Sequence, residues 1–171
     1  MRHTPEPNDE IRRLFRKRVP EVANGIVEIV ALACVPGRTL LAVRSHASRI
    51  NPVRACAGAQ ESLLKTLAAE SGGEFFPVTT WCDSPEEFIR GSFSPPVARV
   101  VIDLITRRAI VSVRGPLRKI APRCGLPATT EIMTKLHEGE AALVAKITGW
   151  KIQLIIRETG EEPGSDHFEK R

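Results

Sequence analysis

The chain has 171 residues, 42% of them apolar, with 25 Lys and Arg against 20 Asp and Glu for a formal charge of +5. That length suits one ordinary domain or two small ones, and the apolar fraction excludes wholesale disorder. The mild basic excess is compatible with a polyanionic partner without specifying one.

No stretch approaches the ~18 uninterrupted apolar residues of a membrane-spanning helix. The first ten residues are polar and proline-bearing, without the apolar centre of a secretory signal. A cytoplasmic protein with no membrane partner is therefore expected. Cys34, Cys56, Cys82 and Cys124 stand far apart with no C-x-x-C pair, so neither a metal site nor a cofactor is expected.

In chain order, residues 1–10 read as a disordered leader. Ile11, Leu14 and Phe15 then recur at helical spacing, with basic residues on the other face and Pro20 closing the helix. Asn24-Gly25 marks a turn, and strands over residues 26–33 and 39–45 flank Pro36-Gly37. Asn51 and Pro52 supply the cap and first position of a helix that runs to Gly58. A second helix crosses residues 62–70 and stops at Gly72-Gly73. Residues 75–81 read as a strand that Pro77 pushes to a sheet edge. Ser84-Pro85-Glu86-Glu87 has the N-cap, N1 proline and N3 carboxylate of a capping box.

Pro95-Pro96 divides a first unit, 11–95, from a second, 96–158. The second opens with strands over 99–105 and 109–113 around Thr106-Arg107-Arg108. A basic, turn-rich stretch covers 114–129. A helix over 130–147 ends at Thr148-Gly149, a strand follows over 150–156, and 159–171 reads as a disordered tail. Each unit is too small for a doubly wound parallel sheet. The fold class expected is mixed α/β (α+β): two units, each a three-stranded sheet with helices packed on one face.

The order and spacing of several short motifs resemble the tandem KH region of the bacterial transcription elongation and termination factor NusA. They begin with Leu14-Phe15-Arg16 and Val19-Pro20-Glu21-Val22. Pro36-Gly37-Arg38, Ala42-Val43-Arg44-Ser45 and Ile50-Asn51-Pro52-Val53-Arg54-Ala55-Cys56-Ala57-Gly58 come next. Ser84-Pro85-Glu86-Glu87-Phe88-Ile89 and Thr148-Gly149-Trp150-Lys151-Ile152 complete the set. The resemblance spans residues 14–157. It implies two type II KH domains, single-stranded RNA as partner, RNA polymerase or other transcription factors as further partners, and a role in transcription elongation, termination or antitermination. It also implies a stand-alone KH pair, since the family's polymerase-binding and S1 domains do not fit in this length.

A KH domain grips nucleic acid with a G-x-x-G loop between two helices. Glycine lets the phosphate backbone approach the main chain, and the following helix offers N–H groups at its positive end. By the resemblance the first loop is Gly58-Ala59-Gln60-Glu61 and the second is Lys135-Leu136-His137-Glu138. The first keeps one glycine and the second keeps none. Arg54, Gly58, Ala59, Gln60, Lys65, Lys135, Leu136, His137 and Lys146 are the candidate RNA-binding residues, joined by the basic residues of 114–123. The competing reading makes Lys65 and Lys146 ordinary solvated charges. It likewise makes the cluster Arg12, Arg13, Arg16, Lys17 and Arg18 a solvated helix face. Trp81 and Trp150 fit core packing better than base stacking. No nucleophile elbow, phosphate loop or H-E-x-x-H motif is present, so no enzyme is expected. The alternative function is a degenerate KH pair that has lost RNA and binds a protein partner.

Overall fold

In the computed structural model, residues 7–94, 97–114 and 130–157 are described. Residues 1–6 of the expected leader, the whole of the expected tail, and residues 115–129 of the expected basic stretch lie outside the described residues.

Helix α1 (Pro7–Arg18) begins four positions ahead of the apolar repeat. Asp9 and Glu10 in its first turn favour the positive end of the helix, which the apolar spacing alone did not register. Its buried Ile11 and Phe15 face inward. Two of its basic residues are structural: Arg12 donates to the Ile29 carbonyl at 2.6 Å, and Arg18 makes a forked ion pair with Glu70. A short α2 (Pro20–Ala23) follows.

Strands β1 (Val27–Val35) and β2 (Arg38–Ser45) form an antiparallel hairpin. Strand β3 (Val78–Thr80) lies parallel to β2 at the sheet edge. The strand expected over 75–81 contracts to three residues, because Pro77 has no N–H to give the ladder. Ahead of it Phe75 makes a single parallel bridge to Arg38, whose guanidinium lies over the Phe75 ring at 5.3 Å. The crossover from β2 to β3 is made by α3 (Pro52–Ala57) and α4 (Ser62–Glu70). Asn51 caps α3 as expected, accepting from Arg54 N at 2.9 Å.

Helix α5 (Pro85–Ser92) is capped by Ser84, which accepts from Glu87 N, and Glu86 pairs with Arg90 one turn on. Glu86 thus serves the helix through its side chain and Glu87 through its backbone N–H. In the second unit β4 (Val97–Asp103) and β5 (Arg108–Arg114) are antiparallel, and β6 (Lys151–Arg157) is parallel to β5. The turn between β4 and β5 begins two residues earlier than expected. The Asp103 carboxylate accepts from Ile105 N at 2.9 Å and from the Thr106 hydroxyl at 2.6 Å, closing the chain at that point. Helix α6 (Thr130–Thr148) precedes β6.

The two sheets therefore repeat one topology, three strands with an antiparallel and then a parallel pair. Strand β2 shows how they join. Leu41 and Val43 point into a core with Phe15, Val19, Cys56, Leu67 and Phe76 from the first unit. Leu40 and Ala42, on the opposite face, point into a second core. That core also takes Phe88 and Ile89 of α5, Val111 and Val113 of β5, and Leu143 and Val144 of α6. A strand buried on both faces reads as a continuous apolar run rather than an alternation, as residues 40–43 do. So α1, α3 and α4 cover one face of the first sheet, while α5 and α6 close the other. Trp150 is buried in the shared core, and Trp81 packs at its margin with its ring 5.1 Å from that of Phe88.

Candidate nucleic-acid interface

The first loop is held by conformation. Gly58 adopts φ 71°, ψ −178°, and a Cβ there would lie 2.8 Å from Leu63 Cβ. Only glycine fits that combination of left-handed backbone and close packing. Gln60 (φ 52°) and Glu61 (φ 61°) are also left-handed, although neither is glycine. L-residues reach that region at a cost of about 1–2 kcal/mol. The chain thus turns sharply at Gln60 and Glu61, the latter at the position where the resemblance puts the second glycine.

The loop presents usable groups. Ala59, Gln60 and Glu61 are exposed. Glu61 is the N-cap of α4 and makes no side-chain cap, while the Ser62 N–H donates back to the Ala59 carbonyl. Arg54, in the last turn of α3, and Lys65, in the first turn of α4, are both exposed and flank the loop. Amides, a positive helix end and two flanking cations suit an anionic backbone. The Glu61 carboxylate opposes it.

The second loop is not a loop. Lys135, Leu136, His137 and Glu138 lie inside the uninterrupted helix α6. None of the four has positive φ, nor does Gly139. His137 is 1% exposed, against the expectation that it would meet RNA. Its Nδ1 lies 2.9 Å from Glu140 Oε2, while its Nε2 has no partner among the described residues. Glu140 is buried too and accepts from both the backbone and the hydroxyl of Ser94. Leu136 is half-buried, and its carbonyl accepts from Arg38. Lys146 donates to the Cys34 carbonyl at 2.7 Å, tying α6 to β1. Lys135 is exposed. Locally, both glycine positions hold residues that favour helix, so the backbone ladder can continue through them.

Sequence reasoning missed Glu140, Arg38 and Ser94, which hold α6 against the first unit. The three-residue spacing of His137 and Glu140 was the available signal, since it places both on one helix face. The buried Cys56 thiol of α3 is pushed up to about 12, first by burial and then by Glu21.

A family model described as the NusA-like first KH domain matches residues 6–81. The chain is 38% identical over 146 residues to the transcription termination/antitermination protein NusA of Thermus thermophilus, covering 84% of this chain and 35% of that protein. To NusA of Mycobacterium bovis it is 34% identical over 148 residues, covering 84% and 39%. The chain thus spans little more than a third of these relatives. Among solved structures, APE1850 aligns with a TM-score of 0.54 at 13% identity, over 86% of this chain and 96% of that one. At that identity the likeness bears on the fold alone.

Proposed function

Since this chain carries a NusA-like KH region over most of its length, we propose that it binds single-stranded RNA through the Gly58–Glu61 loop and acts in transcription elongation, termination or antitermination. The observation that carries the binding is the backbone of that loop. It is left-handed at Gly58, Gln60 and Glu61, which turns the chain sharply between α3 and α4, and it ends on the N-terminus of α4. Phosphates approach the exposed loop residues at the positive end of α4, with Arg54 before the loop and Lys65 after it. Ala59 presents little bulk to obstruct the strand. The role in transcription is supported by the NusA relatives, whose names state termination and antitermination. RNA polymerase or another transcription factor is the protein partner that role implies.

Grip by amides and cations predicts affinity that falls steeply with salt, because counterions are released on binding. Fluorescence anisotropy with labelled single-stranded RNA at about 50 and 200 mM salt tests this. Binding that weakens by tenfold or more across that range is expected. Absence of binding at the lower salt refutes the proposal.

A further inference from the structure

On the reading that the first loop grips RNA, we infer that the described residues form one KH-type nucleic-acid cleft rather than two, and that α6 of the second unit serves as a brace. The two units can be compared position by position. Gly58 lies 14 residues before Gly72, which follows α4, and Lys135 lies 14 before Gly149, which follows α6. From Pro52 to Glu70 the chain forms two helices broken at Gly58–Glu61. From Thr130 to Thr148, a span of equal length, it forms one helix with no break. The four positions that make an open reversal in the first unit are thus turns of helix in the second.

The side chains explain what the unbroken helix does instead. His137, at the third loop position, is turned into the protein, and its pairing with Glu140 sets Glu140 to receive both Ser94 donors. Lys146 and the Leu136 carbonyl engage β1 and β2 through Cys34 and Arg38. Leu143 and Val144 fill the core shared with the first sheet. A helix fixed on this side by buried groups cannot open a reversal at Lys135–Glu138 without exposing His137 and Glu140 and stranding their polar atoms. The substrate class that follows is a short single-stranded segment of about four nucleotides, the reach of one KH loop.

Footprint length tests this. Mixed-sequence single-stranded RNA of about 4, 8 and 12 nucleotides is titrated into the whole chain at low salt. Once the number of binding registers on each strand is divided out, the three affinities are expected to agree within about threefold. Two clefts acting together would tighten the longest strand by ~100-fold or more through effective concentration; such a rise overturns the single cleft while leaving RNA binding intact. In a second arm, Ala59→Asp combined with Gln60→Asp places two carboxylates on exposed loop positions, with folding checked by circular dichroism. Loss of binding to all three lengths is expected. Retention of the 12-nucleotide strand within threefold places the grip elsewhere and overturns the inference. If no strand binds the unaltered chain, the proposed function itself fails with it.

Discussion

Glutamate at the second glycine position of the loop combines two penalties that substitution can separate. Glu61 sits at φ 61°, ψ 19°. Glycine there removes the steric cost of the left-handed region, about 1–2 kcal/mol, but loses roughly 0.4–1 kcal/mol through the greater freedom of the unfolded chain. Alanine keeps the steric cost. Both substitutions discard the same carboxylate and whatever it contacts, so their difference isolates the backbone. Glu61→Gly is therefore expected to be more stable than Glu61→Ala by about 1 kcal/mol, read as a shift in the urea midpoint at constant slope. Binding isolates the charge. A carboxylate about 4 Å from a phosphate in a water-exposed setting opposes it by about 1 kcal/mol, so both variants should bind single-stranded RNA about fivefold tighter by anisotropy. Glycine should gain somewhat more, because it admits closer approach. Glu61→Ala as stable as Glu61→Gly would mean that position 61 is not left-handed. Unchanged affinity in both variants would mean that the loop does not face the phosphates.

Gly58→Ala places a methyl group 2.8 Å from Leu63 Cβ on a left-handed backbone; a loss of roughly 1–3 kcal/mol in urea unfolding is expected, and a loss under 0.5 kcal/mol refutes the packing described. His137→Ala opens a cavity and leaves Glu140 without its buried neighbour, so destabilisation of about 2–4 kcal/mol is expected. Circular dichroism and tryptophan fluorescence should report a single transition in that variant, because the two sheets share a core; separate transitions would show that they do not. Burial lifts the Cys56 thiol from an ordinary 9.0 to about 12. As its folded-state value is the raised one, its stabilising contribution is complete below pH ~9 and is lost as the pH climbs toward 12. At pH ~8, alkylation of Cys56 followed by mass spectrometry should be ~100-fold slower in the native chain than in urea, with half-exposed Cys34 and Cys82 modified first; equal rates would contradict its burial.

Local chemistry made much of the fold readable in the sequence. Asn51-Pro52 and Ser84-Pro85 marked helix starts because capping is decided by neighbours within one turn. Gly37 and Gly149 marked element ends because their positive φ suits glycine. The first loop was located from motif order, and Gly58 stands where that order put it. Sequence by itself also fixed the helical propensity of residues 130–147, and that propensity contradicted a loop at Lys135–Glu138 within the same stretch. Tertiary structure decided the conflict. Burial of His137 and Glu140 against Ser94, and seating of α6 on the far face of the first sheet, depend on groups 46 to 112 positions apart. No local pattern encodes such a distance, because the free energy of burial belongs to the assembled core rather than to either segment alone.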